Sequence, residues 1–274
     1  MPPPLDLTIA IPVRNEERNL AVCLEAIGAD LARRVVVLDS GSTDRTREVA
    51  LAHGAEVLEF RWNGRFPKKR NWFLREQRPD TTWVLFLDAD EFLTPAFKQE
   101  LRRVLPGTPH DGFWLAYSIH FLGRKLKGGY PLRKLALFRV GAGEYERIDE
   151  ERWSQLDMEI HEHPVLTGSI GRLQARIDHQ DCRGIEHYVR KHSEYASWEA
   201  ARFARSQADP ALRAKWTWKQ RLKYALMRTP LLGPVYFFGS FVLMGGWRDG
   251  FTGLAFAILK MSYFTQVYCK LRER

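Results

Sequence analysis

The N-terminal third of the chain alternates two hydrophobic patterns. Leu5 to Ile11, Arg34 to Asp39, Ala55 to Phe60 and Trp83 to Leu87 are short, nearly unbroken apolar runs, the pattern of strands buried on both faces. The first is expected to end at Pro12. Between the first two, Leu20, Leu24 and Ile27 recur at helical spacing after Asn15-Glu16-Glu17, which offers an N-cap type residue and first-turn acids. A turn at Ser40-Gly-Ser-Thr-Asp44 leads into a second helix that runs to about His53. Strand, helix, strand, helix at this spacing predicts βαβ units, a parallel sheet and right-handed crossovers.

From about Gly112 the pattern changes. Phe113 to Phe121, Leu135 to Val140, Leu156 to Ile160 and Ser169 to Ile177 read as further strands joined by irregular loops. Arg183 to Ser206 and Ala211 to Met227 read as helices rich in Trp and basic residues. The expected organisation is a mostly parallel, Rossmann-like α/β domain over residues 1–182, with halves at 1–110 and 111–182, followed by a helical extension over 183–274.

Composition refines this picture in one respect. With 274 residues, 45% of them hydrophobic, the chain can bury a substantial core. Its net charge of +9 calls for an anionic partner. From Arg183 to Arg228 eleven Lys/Arg face four Asp/Glu, just ahead of an apolar segment, which favours an anionic membrane surface and argues against nucleic acid. Thr229 to Trp247 carries no charge and approaches the ~20 residues of a membrane span, but Pro230, Pro234 and four glycines interrupt it. In-plane attachment is the first reading, a packed helical core or oligomer contact the second, and true spanning the third. Met-Pro-Pro-Pro-Leu-Asp lacks the features of a signal peptide, and Cys23, Cys182 and Cys269 lie in no disulfide or metal spacing. A cytoplasmic setting is expected, peripheral on the inner face of the cytoplasmic membrane.

Three strand ends carry polar clusters on one edge of the predicted sheet: Pro12 to Glu16, Asp39 to Asp44, and Asp88 to Glu91. Open α/β sheets bind ligands just outside the carboxyl ends of their strands. Asp88, Asp90 and Glu91 would repel one another unless a cation or donors lay between them. Hard oxygen ligands that leave room for phosphate oxygens suit Mg²⁺ or Mn²⁺. The alternative is that these acids merely favour the start of a helix near Pro95. No Ser-His-Asp triad, zinc spacing or P-loop is present.

Ile11-Pro-Val-Arg-Asn-Glu-Glu17, Leu38-Asp-Ser-Gly-Ser-Thr-Asp44, Lys69-Arg-Asn71 and Leu87-Asp-Ala-Asp-Glu91 together resemble the glycosyltransferase family 2 enzymes with the GT-A fold. Gly129-Tyr-Pro131, Leu137-Phe-Arg139 and Ile160-His-Glu162 are similar to the branch containing β-1,4-glucosyltransferases of the lipopolysaccharide or lipooligosaccharide core. The resemblance covers about residues 5 to 180 well and the C-terminus loosely.

The resemblance implies a donor of the UDP-hexose type, a divalent ion and a lipid-linked saccharide acceptor. Asp39 would accept a hydrogen bond from uracil, with Pro12, Val13, Asn15 and Glu16 lining base and ribose; alternatively Asn15 is an N-cap and Asp39 a turn former. Ser40 and Gly41 belong to the same nucleotide-sugar site, because glycine permits a tight turn near the ligand. Arg70 offers a planar donor fork to the diphosphate with Lys69 in support, unless this basic run is a solvated face. In Asp88-Ala89-Asp90 the second aspartate would contact the metal directly and the first would serve ribose or metal-bound water. Glu162 is the candidate general base, and His161 either orients that site, approaches the metal or is a buried structural histidine. Asp178-His179 is a further possible contributor to the nucleotide or metal site. Tyr130 and Arg133 are expected to shape the acceptor cleft, although Tyr130 could equally be core. Two other readings stay open: a polyprenyl-phosphate acceptor, and a non-catalytic protein binding anionic membranes or nucleic acid.

Overall fold

The computed structural model describes residues 3–147, 157, 163–214 and 216–273. Apart from Asp157, the predicted strand Leu156 to Ile160 lies outside the described residues, as do the candidates His161 and Glu162. The chain forms two compact units, Met1–Ile119 with Pro131–Cys182, and His120–Tyr130 with Arg183–Arg274.

In the first unit the elements run β1 (Leu5–Val13), α1 (Glu17–Ile27), β2 (Ala32–Asp39), α2 (Thr46–Ala52), β3 (Glu56–Glu59), α3 (Lys69–Trp72), β4 (Trp83–Phe86), β5 (Glu91–Phe92) and α4 (Pro95–Val104). β6 (Gly112–Phe121), whose last two residues lie with β7 (Arg124–Lys125) in the second unit, is followed in the first by β8 (Arg133–Arg139), β9 (Gly143–Tyr145), β10 (Pro164–Leu166) and β11 (Ile170–His179). Along the main sheet the order is β3-β2-β1-β4-β8-β6-β11-β5. β1 to β4 pair in parallel, as the βαβ pattern requires, whereas β8 joins antiparallel to both β4 and β6. The α/β class expected from the sequence is observed. Leu7, Ile9 and Ile11 of β1 and Leu85 of β4 are fully buried between α1 and α4, so an unbroken apolar run marks each central strand.

Local signals misplaced several boundaries. β1 continues through Pro12 to Val13, because a parallel partner is held there at Pro12↔Leu38 and Val13↔Asp39. Asn15 is not the N-cap of α1: that place belongs to Glu16, and Asn15 sits at φ 56°, in the left-handed region that asparagine tolerates. The acids after β4 do not start a helix either. α4 is capped by the Thr94 hydroxyl, which accepts from Phe97 N–H, and its first turn holds no acid.

In the second unit α5 (Ile185–Ala208) is followed by α6 (Pro210–Ala214), α7 (Trp218–Met227), α8 (Leu232–Phe238) and α9 (Gly250–Arg272). The single helix expected from Ala211 to Met227 is thus two. Thr217 and Gln220 form a reciprocal capping box that begins α7 afresh. Ala196, Ala200 and Phe203 of α5 pack with Met227, Leu232, Phe264 and Val267. Gly233 lets α8 approach α9 closely, since a β-carbon there would lie 2.8 Å from the Met261 carbonyl oxygen. Within this unit the Asp249 carboxylate, before α9, accepts from Lys127 and Gly128 N–H at 2.8 and 2.9 Å, just after β7.

Candidate active site

β1 lies between β2 and β4, all three parallel, so their carboxyl ends open onto one rim. The loops after β1 and β2 are laced together there. Asn15 Oδ1 accepts from Thr43 N–H at 2.8 Å, Asn15 N–H donates to Ser42 Oγ at 2.9 Å, and Glu16 N–H donates to Thr46 Oγ1 at 2.8 Å. Asp44 Oδ2 accepts from Glu17 N–H at 3.2 Å, while its other oxygen accepts from Thr46 N–H at 3.0 Å. Asp39 is buried, and its Oδ1 accepts from Ser42 N–H at 3.0 Å and Ser42 Oγ at 2.6 Å. Its turn-forming role is therefore observed, and among the described residues its hydrogen bonds leave Oδ2 unused. Gly41 adopts φ 74°, which only glycine takes without strain, and the buried Ser40 hydroxyl has no hydrogen-bond partner among the described residues.

The acid loop after β4 is held by cations from two neighbouring elements. Arg70 on α3 reaches Asp88 Oδ1 at 2.6 Å, and Lys134 on β8 reaches Asp88 Oδ2 at 2.6 Å while also donating to Glu91 Oε1. Glu91 is fully buried, and its other oxygen accepts from Asp88 N–H at 3.2 Å and from the Tyr117 hydroxyl at 3.4 Å. Burial works against a charged Lys134, but Asp88 and Glu91 outweigh it and hold the ammonium well above its ordinary value. For Glu91 burial dominates; Lys134 opposes it, Asp88 adds to it, and the carboxyl is pushed up to about 7.

Asp90 is buried, and His179 Nε2, at the end of β11, stands 3.8 Å from its Oδ1. The pairing of His179 with Glu91 across β11 and β5 brings the imidazole to the acid loop. Asn19 on α1 fixes the following segment, donating to Asp181 at 3.2 Å and accepting from Cys182 N–H at 2.8 Å. A gap of 3.8 Å between carboxylate oxygen and imidazole nitrogen exceeds a direct hydrogen bond. Among the described residues no three His, Cys, Asp or Glu side chains form a metal-binding group. Asp90 and His179 nevertheless supply two donors of suitable chemistry, and Mg²⁺ habitually completes its shell with water and phosphate oxygens. The residues fit such an ion held by few protein ligands.

Other expected residues are placed differently. Lys69 does not reach the rim as a diphosphate ligand: it is buried, donating to the Val13 carbonyl at 3.0 Å and pairing with Asp157 at 3.3 Å. Burial lowers its pKa, only partly opposed by Asp157. Pro12 and Val13 are buried, Val13 within the core, and the Val13 carbonyl already accepts from Lys69 and from Ser40 N–H, so neither side chain forms a surface at the rim. Ala89 is likewise a core residue. Asn71 is a clamp: its Nδ2 donates to Tyr145 O at 3.0 Å and its Oδ1 accepts from Tyr145 N–H at 2.9 Å, while the Arg70 guanidinium lies over the Tyr145 ring. Arg133 is exposed at the start of β8. Tyr130 belongs to the second unit, exposed, with its ring 6.4 Å from that of Tyr236. The residue that sequence reasoning missed is Lys134, which differs in the sequence from neighbouring basic residues only in its β8 register.

A Rossmann-like sheet whose acidic loops and neighbouring cations converge at the carboxyl ends of parallel strands places the candidate site where open α/β sheets bind ligands. The chain belongs to glycosyl transferase family 2, whose model matches residues 8–160. That membership favours a glycosyltransferase domain over a non-catalytic binding protein. Among similar proteins are an uncharacterized glycosyltransferase of Rickettsia prowazekii, 26% identical over 68% of this chain and 64% of that protein, and the 4,4'-diaponeurosporenoate glycosyltransferase of Staphylococcus aureus, 34% identical over 54% and 41%. Glucosyl-3-phosphoglycerate synthase of Mycobacterium tuberculosis, solved with Mn²⁺, UDP and glucosyl-3-phosphoglycerate, superposes with a TM-score of 0.33 at 23% identity, over 43% of this chain and 44% of that one. The chain spans less than two thirds of the length of each of these proteins.

Proposed function

We propose that the chain is an inverting, metal-dependent hexosyltransferase that moves a hexose, glucose from UDP-glucose in the first instance, to a lipid-linked glycan acceptor such as lipopolysaccharide core. The observation that carries this reading is the shared rim: Asp39, Arg70, Asp88 and Asp90 come from the ends of two strands, β2 and β4, and from α3, with Arg70 and Asp88 in direct contact. Asp39 Oδ2 is an acceptor for the uracil N–H, and the Ser40 hydroxyl is an unused partner beside it. Arg70 directs its guanidinium at phosphate oxygens, held at its angle by Asp88 and the Tyr145 ring. Asp90 and His179 would hold Mg²⁺ or Mn²⁺, which when bound neutralises the charge developing on the diphosphate. Glu162 takes the proton from the acceptor hydroxyl as it attacks the anomeric carbon.

A donor screen by UDP and GDP release, with Mn²⁺ or Mg²⁺ supplied, tests this reading together with thermal shift against each nucleotide. Asp90→Ala is expected to abolish transfer and leave the fold intact. Full activity in EDTA would overturn the metal-dependent reading. An innocuous Glu162→Gln would move the acceptor to a polyprenyl phosphate, which is already anionic and needs no base.

A further inference from the structure

We infer that the outer face of α8 and the turn that continues it docks in the plane of an anionic lipid surface. α8 runs on without a break into a wider turn at Gly239–Leu243, forming one helical rod. Its inner face is used. Leu232 and Ser240 are buried, Gly233 sits against α9, and the Tyr236 ring stacks on Phe264 at 4.0 Å. Its outer face is equally apolar. Leu231, Val235, Phe238 and Val242 follow at steps of four, three and four residues, each 42–55% exposed. Trp247 and Phe251 extend the exposed apolar surface beyond the rod, at 60% and 79%. A surface helix of a water-soluble domain would carry polar residues on that side.

Charge identifies the occupant. No charged residue lies between Thr229 and Trp247, while Arg228 and Arg248 bracket the segment. Both arginines are exposed and make no ion pair among the described residues. α7 adds Lys219 and Arg221, with the Lys219 ammonium 5.6 Å from the Trp218 ring centre. An apolar stripe flanked by arginines and tryptophan matches the boundary between acyl chains and anionic headgroups. A second copy of the chain fits less well, because a two-fold contact would set this patch against itself and bring like charges together. Spanning is disfavoured by shape. No single helix among the described residues is long and apolar enough to cross a membrane, and α7 is bent 119° from the 232–243 rod.

Co-sedimentation of the full chain with phosphatidylcholine vesicles, with and without phosphatidylglycerol, tests the inference. Binding is expected to the anionic vesicles and to weaken as salt rises. The triple variant Val235→Ser/Phe238→Ser/Val242→Ser should weaken it about tenfold or more, since it removes exposed apolar side chains. Arg228→Gln/Arg248→Gln should reduce the preference for phosphatidylglycerol. Unaltered binding by the triple variant, or no binding to anionic vesicles, overturns the inference. So does a dimer, seen by light scattering, that only the triple variant disperses. Nucleotide-sugar binding measured without vesicles should be the same in the triple variant and the parent, which separates failure here from failure of the catalytic reading.

Discussion

The Lys134 ammonium bridges two carboxylates, lying 2.6 Å from Asp88 and in contact with the fully buried Glu91. Lys134→Met would strand a buried carboxylate beside two other acids. Removing one partner of a buried ion pair typically costs about 3–5 kcal/mol, and the lower end is expected because Lys134 is 31% exposed. Urea unfolding above pH 7, where Glu91 is ionised in the parent, measures it. Lys134→Met/Glu91→Gln should recover more than about 1 kcal/mol of that loss, since the uncompensated charge disappears with the lysine. A single variant as stable as the parent would show that the bridge does not organise the acid loop.

The same carboxylate ties stability to pH. Burial pushes the Glu91 carboxyl up to about 7 against an ordinary value of 4.5, with Lys134 opposing and Asp88 and Asp90 reinforcing the shift. Between those values the native state holds a proton that the unfolded chain has released. This contribution to stability is therefore full below pH 4.5 and declines as pH rises through about 7, by at most about 1.4 kcal/mol per pH unit. Chemical unfolding at a series of pH values should show the decline in the parent and lose it in Glu91→Gln. Stability that instead rises through the same window in the parent only would refute it.

The loops that carry Asn15 and Asp39 share one clamp. Asp44 accepts from the N–H of Glu17 on one side and of Thr46 on the other. Asp44→Ala should cost about 1–2 kcal/mol, the range for a side chain that satisfies backbone donors at a helix start. It should also weaken UDP binding by several-fold, because both loops loosen. Isothermal titration with UDP and a thermal melt separate the two effects; a destabilised variant with parental UDP affinity would remove these loops from the nucleotide site.

What the chain discloses in one dimension follows from how local each cause is. The central strands were legible because a parallel strand covered on both faces must be apolar throughout, and the acids at Asp39 and Asp88 interrupt that run where the sheet ends. Asn15 misled because a short amide before Glu16-Glu17 looks like a cap, while its real partner, Thr43 N–H, belongs to a loop 28 residues away. Lys69 and Arg70 are adjacent and chemically alike. Only the turn of α3 sends one into the core toward Val13 O and the other onto Asp88. Lys134 was invisible for a related reason, since its role arises from the pairing of β8 with β4, a register no single run of residues encodes. The break before α7, by contrast, was readable: Thr217 and Gln220 have the spacing of a capping box.

Asn71 links the basic motif to β9, a strand of the separate two-stranded β9–β10 sheet. It is fully buried and exchanges two hydrogen bonds with the backbone of Tyr145, as a strand neighbour would. Asn71→Ala leaves the Tyr145 N–H and carbonyl without these partners, and buried polar groups left unsatisfied cost about 1–3 kcal/mol each. A loss of about 2–4 kcal/mol overall is therefore expected in denaturant unfolding. Arg70, one residue earlier, takes its direction from α3 and from the Tyr145 ring, so nucleotide-diphosphate affinity should fall further than uridine affinity. Comparing UDP with uridine in the same variant isolates that directional effect from general loosening. Equal losses for both ligands would mean that Asn71 supports only the fold, and that Arg70 finds the phosphates without its help.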